Sequence, residues 1–339
     1  RVFKFGGSLM KFMVLGGAGY IGSHFVWEAF DLGHDVLVFD HLERGHSDFL
    51  PKDVKLTKAD VLDTATLTTS IRSFKPDAIM HFAAYALVSE STRDPNMYYQ
   101  NNVGGVVSLL NAMRAAESKA SIIFSSTCAV FGTPTKLPIS ESFEKRPESP
   151  YGQSKYFCEV ILEDAAKAYG YSVCALRYFN ACGADLSART GELHNPETHL
   201  IPNIFAAARA GRQVTIFGKQ YPTRDGTCIR DYIHVKDLAQ AHLEVATRMM
   251  SDQSSWNSRF EAIHLGTGRG YSNLEVVAAV ETALKTTLKV EFAERREGDP
   301  AELYADTTKA NTMISFVPKY SDLKTIIESV HRWETRKRS

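Results

Sequence analysis

Gly16-Gly17-Ala18-Gly19-Tyr20-Ile21-Gly22 follows directly on the apolar run Phe12 to Leu15 and opens an amphipathic segment from Ile21 to Leu32. Glycines at 16, 19 and 22 suit a turn that brings backbone N–H groups up to a pyrophosphate at a helix N-terminus, because a Cβ there would hold the anion off. Glycine triplets are common, so it is the order strand, turn, helix that gives this one its weight. Asp40 closes the second apolar run, 18 residues beyond Gly22. A carboxylate at that point accepts from the hydroxyls of an adenosine ribose and repels a 2'-phosphate, which favours NAD over NADP. Asp60 and Val61 after the third run, and Phe82, Ala83 and Ala84 after the fourth, fall where loops would line adenine and ribose. Ordinary loop packing is the alternative for these five.

Outward from this turn, Val36 to Asp40, Val54 to Ala59, Ala78 to Phe82, Ser121 to Ser125 and Val173 to Tyr178 read as further strands, rich in β-branched and aromatic residues. Helices are expected at Ile21 to Leu32, Thr64 to Phe74, Met97 to Glu117 and Tyr151 to Tyr169. Strands alternating with crossover helices predict an α/β fold, a Rossmann-type doubly wound parallel sheet. Beyond about Asn180 the pattern loosens into a polar loop, Arg189 to His199, then mixed helices and short strands. The expected organisation is an NAD-binding domain over 10–182 and a smaller mixed α/β substrate domain over 183–339, with some chain crossing. Residues 1–9 precede Met10 and are set aside as a non-native or leader segment.

The chain has 339 residues, with 39 Lys+Arg against 39 Asp+Glu and no net charge. That balance argues against nucleic acid held by phosphate contacts, and the run Arg336-Lys337-Arg338 is most simply a solvated terminus. With 44% hydrophobic and 23% charged residues, the composition is that of a globular protein. The absence of any window of 18 uninterrupted apolar residues excludes a membrane helix. Five cysteines without a C-x-x-C pair fit reduced thiols and a cytoplasmic setting, and they lack zinc-ligand spacing with any histidine, so no metal is expected.

Tyr151 and Lys155 stand four residues apart, on one helix face. Tyr232/Lys236 and Tyr320/Lys324 share that spacing and read as solvated faces. Only the first pair opens a helix after the strand that ends in Ser125-Ser126-Thr127, at the carboxyl edge where such sheets bind ligands. A phenol that acts as a base must fall from about 10 to about 7, which takes about 4 kcal/mol. One ammonium at roughly 5 Å supplies about 3 kcal/mol at an effective dielectric near 20. The pair therefore makes sense mainly beside a second positive charge, that of a bound nicotinamide ring. Thr127 can relay a proton between substrate and Tyr151.

Together with HFAA at 81–84, NNV at 101–103, SPYGQSK at 149–155, LRYFNACGA at 176–184, DGTCIRDYIHVKDLA at 225–239 and REGD at 296–299, these elements resemble the extended short-chain dehydrogenase/reductase family. Within it they are most similar to the UDP-glucose 4-epimerases and their UDP-sugar 4-epimerase relatives. The resemblance implies tightly held NAD and inversion at C4 of a UDP-hexose, UDP-galactose or UDP-glucose, through a transient 4-keto sugar. It places Tyr151, Lys155 and Thr127 at the chemistry. Gly16, Gly19, Tyr20, Ile21, Gly22, Asp40, Asp60, Val61, Phe82, Ala83, Ala84, Asn101, Ser125 and Tyr178 fall on the cofactor side. Asn180, His199, Leu200, Thr215, Ile216, Phe217, Arg230, Arg296, Asp299 and Leu303 fall on the UDP-sugar side.

Several positions depart from the commonest pattern. Phe131 stands where Tyr is frequent, Ala129 where a second hydroxyl often is, and Ala86 where some relatives have lysine. Leu303 is assigned the position that limits the sugar's size, although a shift of one residue would put Glu302 or Tyr304 there. UDP-xylose and UDP-arabinose are the alternative substrates. A dehydratase or dehydrogenase is less favoured, because no acidic pair follows the hydroxyl strand, and a non-catalytic NAD sensor is disfavoured by the intact Tyr151 and Lys155. The resemblance also implies a homodimer through the helices of 97–117 and 151–169.

Overall fold

The computed structural model describes residues 9–251, 256, 258–296 and 298–336. The segment 1–8, Glu297 of the REGD motif, and Lys337 and Arg338 of the terminal basic run lie outside the described residues.

The first half runs β1 (Lys11–Leu15), α1 (Tyr20–Asp31), β2 (Asp35–Asp40), β3 (Lys55–Lys58), α2 (Thr64–Phe74), β4 (Ala78–His81), α3 (Val88–Arg93), α4 (Pro95–Tyr98), α5 (Gly104–Ala115), β5 (Ser121–Thr127), α6 (Pro150–Tyr169) and β6 (Val173–Tyr178). It continues through β7 (Asn180–Cys182), α7 (Leu200–Arg209), β8 (Val214–Phe217), β9 (Ile229–Arg230), β10 (Tyr232–His234), α8 (Val235–Ser251) and β11 (Phe260–Leu265). The chain ends with β12 (Tyr271–Ser272), α9 (Asn273–Leu284), β13 (Val290–Ala293), β14 (Glu302–Leu303), α10 (Thr308–Ile314) and α11 (Leu323–Arg336).

Seven parallel strands form the main sheet in the order β11-β6-β5-β4-β1-β2-β3. Strands buried on both faces read as continuous apolar runs, which is why β1, β2, β4 and β6 are legible in the sequence. One face packs on α1, α8 and α10 through Phe12, Val14, Phe25, Leu238 and Ile314. The other packs on α2, α5 and α6 through Met13, Leu15, Leu67, Leu109 and Leu162. The order reverses between β1 and β4, so the turn after β1 and the loop after β4 flank the crevice where open α/β sheets bind ligands.

Two elements of the later chain return to this sheet. The edge strand β11 pairs with β6, and α8 packs against α1. A third core joins α7, α9, α11, β8 and β13 through Ile204, Phe205, Ile216, Val276 and Ile327.

The single helix expected over 97–117 is broken. After Pro95–Tyr98 the backbone makes a π-helical turn, Tyr99–Val103, before α5 begins. Asn102 explains the break: its amide donates to the Tyr85 carbonyl at 3.0 Å and to Ser154 Oγ at 3.0 Å, while its oxygen accepts the Tyr85 N–H at 2.8 Å. Such one-turn widenings commonly aim a side chain at a functional site.

Candidate active site

At the start of α6, Ser149 caps the helix by accepting the Gly152 N–H at 3.1 Å, and Pro150 takes a position that needs no N–H. A Cβ on residue 152 would come within 2.6 Å of the Ala129 carbonyl oxygen, so only glycine lets α6 press on the turn Cys128–Phe131. That close approach brings Tyr151 beside Thr127, whose hydroxyl favours the ionised phenol and accepts the Ala129 N–H at 3.1 Å. Tyr98 faces Tyr151 edge-on, with ring centroids 6.4 Å apart. Lys155 is buried and donates to the Ser125 carbonyl at 2.7 Å, its Nζ lying 4.8 Å from the Phe124 ring centre.

Burial pushes the Tyr151 phenol up to about 12, against the opposing hydrogen bond from Thr127. Burial also pulls the Lys155 ammonium down to about 8. Desolvation disfavours whichever form is charged, so the two values move apart and each group is driven toward its neutral form. The chain alone keeps the phenol protonated near neutral pH, and a further positive charge is needed to make it a base.

On the cofactor side, Gly16 has φ +75°, and a Cβ there would lie 2.5 Å from the Ala83 N. A Cβ on Gly22 would run into the Gly16 carbonyl oxygen. Gly19 caps α1 with no side-chain hydrogen bond, which leaves the first N–H groups of the helix for an anion. Asp40 is buried, with its two oxygens accepting Ala18 N at 3.0 Å and Leu42 N at 2.8 Å. A carboxylate offers about four lone-pair sites, so two remain for ribose hydroxyls. These residues fit a dinucleotide.

The other cofactor-side residues are engaged within the chain itself. The Tyr20 hydroxyl donates to the Gly183 carbonyl at 2.6 Å, tying the turn to the later chain and leaving only backbone at the cradle. Ile21, Val61 and Phe82 turn their side chains into the two cores, Phe82 against His242 with ring centroids 4.9 Å apart. Asp60 accepts the Leu62 N–H at 2.9 Å, Ala83 sets its backbone against Gly16, and Ala84 is half-buried. Tyr178 is buried, and its hydroxyl is engaged by His242 Nε2 at 2.5 Å and by Ser125. Asn101 donates to the Asn102 oxygen at 2.9 Å.

On the opposite side of the crevice, β14 lies beside β9 with Leu303 opposite Arg230. Leu303 packs on Val130, Phe131 and Phe179, on the turn that follows Thr127. Arg230 forms an ion pair with Asp299 and donates to the Pro300 carbonyl at 2.8 Å. Arg296 lies 4.1 Å over the Phe217 ring. Strand alternation exposes Thr215 and Phe217 but buries Ile216 in the third core, so Ile216 has no side chain to offer a ligand. Leu200 starts α7, half-buried against that core. Asn180 pairs in register with Tyr232 and is half-buried. The His199 imidazole is taken by Glu192.

Of the two rejected Tyr/Lys pairs, Tyr232 is not solvated but buried in the third core, and Lys236 pairs with Glu28. Residue types alone did not single out Tyr98, Asn102, Glu159 or Arg295. Arg295 donates to the Asp299 carbonyl at 2.8 Å and lies 4.5 Å over the Tyr221 ring. For Asn102 the signal was present: two adjacent asparagines inside a helical pattern, where that residue type is unfavourable.

A glycine cradle and a Tyr-Lys-Thr group converge at one strand-order reversal, which defines a dinucleotide-dependent enzyme of the doubly wound class. Residues 12–257 match the model of the NAD dependent epimerase/dehydratase family, and the chain belongs to that family. It is 44% identical to the UDP-glucose 4-epimerase of Lactobacillus helveticus, over 96% of this chain and 97% of that protein. Among solved structures, the UDP-glucose 4-epimerase of Brucella ovis in complex with NAD superposes with a TM-score of 0.89 at 43% identity, over 96% of this chain and 98% of that one. The enzyme of Stenotrophomonas maltophila with bound NAD and formylated UDP-arabinopyranose gives 0.91 at 34% identity, over 97% and 99%.

Proposed function

We propose that this chain is an NAD-dependent UDP-glucose 4-epimerase, inverting C4 of a UDP-hexose so as to interconvert UDP-galactose and UDP-glucose. The observation that carries the reading is the Tyr151 phenol held against Thr127 at the carboxyl end of β5, with Lys155 one helical turn behind it. NAD, when bound, would supply the hydride acceptor and donor for C4 and the further positive charge that the Tyr151 phenol needs.

Tyr151 Oη takes the proton of the C4 hydroxyl and gives it back, and Thr127 Oγ1 bridges the two oxygens. Lys155, already fixed on the Ser125 carbonyl, holds a nicotinamide-side ribose and adds its charge. Gly16, Gly19 and Gly22 seat the pyrophosphate, and Asp40 holds the adenosine ribose. Arg230, Arg296 and Asp299 hold the UDP moiety, and Leu303 limits the sugar's size beside Phe131 and Phe179.

Purified protein given UDP-galactose with no added NAD is expected to form UDP-glucose, and Tyr151→Phe is expected to abolish the conversion while the chain stays folded. Activity that survives in Tyr151→Phe, or none in wild type after NAD is supplied, overturns the reading. Conversion of UDP-xylose or UDP-arabinose in preference moves the assignment to a pentose epimerase.

The same reading includes a homodimer through α5 and α6, whose outer faces expose Val107, Phe157 and Val160 at 40–42%. Sedimentation at micromolar concentration is expected to give twice the chain mass, and a monomer refutes it.

A further inference from the structure

The loop between β7 and α7 carries Glu192, His194, Glu197 and His199. One donor atom from each of these four lies within 4.8 Å of all the others. His194 Nδ1 is 3.0 Å from Glu192 Oε1 and 3.9 Å from Glu197 Oε2. His199 Nδ1 meets the same Glu192 oxygen and lies 3.5 Å from Glu197 Oε1. A tetrahedral cation with ligand bonds near 2.1 Å sets neighbouring donors about 3.4 Å apart, and these separations straddle that value.

The cluster is braced from outside. Glu192 is buried, and its carbonyl accepts the Trp333 indole N–H at 3.0 Å. Glu197 Oε1 accepts the N–H groups of Thr198 at 2.8 Å and His199 at 2.9 Å, which fixes that carboxylate. The Tyr20 ring stands edge-on to His194, with centroids 5.9 Å apart. Two imidazole Nδ1 atoms converge on a single carboxylate oxygen of Glu192, and the Glu197 carboxylate faces both rings. One divalent cation accepts a lone pair from each of the four donors and ties them through a single centre.

We propose that Glu192, His194, Glu197 and His199 form a closed four-ligand site for one first-row divalent cation of the zinc type. Two imidazoles and two carboxylates are a donor set that such a cation accepts and that magnesium, which prefers octahedral oxygen, does not. With all four positions filled by protein, the ion holds structure and activates no water. It pins the loop 192–199, and with it the start of α7, between Tyr20 of the glycine turn and Trp333 of α11.

The test is calorimetric titration of chelator-treated holoenzyme with zinc chloride, repeated in excess magnesium, with X-ray absorption at the zinc edge. One equivalent is expected to bind, unaffected by magnesium, with imidazole scattering in the first shell and a zinc-dependent rise in melting temperature. His194→Ala and the near-isosteric Glu197→Gln are each expected to weaken binding by about tenfold or more and to lose the melting shift. Circular dichroism of both variants without metal is the check that they remain folded. No saturable binding, binding unchanged in both folded variants, or a zinc edge without imidazole scattering overturns the site.

Discussion

Glu159 sits one helical turn beyond Lys155, and nothing about its residue type marks it as special. It is nonetheless the hinge of a buried network. Its carboxylate accepts Arg177 Nε at 2.9 Å and Nη2 at 2.6 Å, and Ser126 Oγ at 2.5 Å, with both ionic side chains no more than 4% exposed. The network ties α6 to β5 and β6 directly beneath Thr127 and Tyr151. Removing one partner of a buried pair leaves the other charge uncompensated, which costs about 3–5 kcal/mol. Glu159→Gln is therefore expected to lose about that much stability, read from urea unfolding midpoints, and a loss below about 1 kcal/mol sinks the account. At this scale the sequence was uneven. Tyr151, Lys155 and Thr127 could be found because their chemistry is visible in residue type and spacing. Glu159 could not be singled out, because a residue that acts by holding others shows itself only through its partners.

Among the elements, α2 was predicted to the residue, since Asp63 caps it and Lys75 ends it in a left-handed conformation. β5 runs two residues further than expected, because Ser126 and Thr127 look like turn chemistry but pair in register with Arg177 and Tyr178. β11 was not legible as part of the main sheet: a six-residue strand, with Glu261 and His264 interrupting its apolar residues, carries no mark of which sheet will take it. The glycine turn is the element on which the proposed cofactor binding depends most. In Gly22→Ala the new Cβ would meet the Gly16 carbonyl and lie 2.9 Å from the Gly17 Cα, backbone atoms that cannot step aside. The variant is expected to hold NAD at least about tenfold more weakly, a change of ~1.4 kcal/mol, measured as cofactor retained after gel filtration. Stoichiometric retention would remove the turn from the pyrophosphate site.

Across the whole molecule, buried histidines set the response to acid. His24 and His242 are held at about 4, and His81, His234 and His264 at about 3, in each case chiefly by burial. An unfolded chain titrates these groups near 6.5, so between the two values it binds more protons than the folded one. Stability is therefore full above about pH 6.5 and falls as pH drops toward 4, with each histidine contributing up to about 1.4 kcal/mol per pH unit. Urea midpoints are expected to be distinctly lower at pH 5 than at pH 7.5, and equal midpoints refute the assignment. The placement of β11 also has a consequence for biosynthesis. β6 ends at Tyr178, but the strand that covers its outer side starts at Phe260. At about 5–20 residues per second, a ribosome needs roughly 4–16 s to cross that interval. For that time the emerging chain carries six strands of its sheet with one flank bare, a natural moment for a chaperone to hold it.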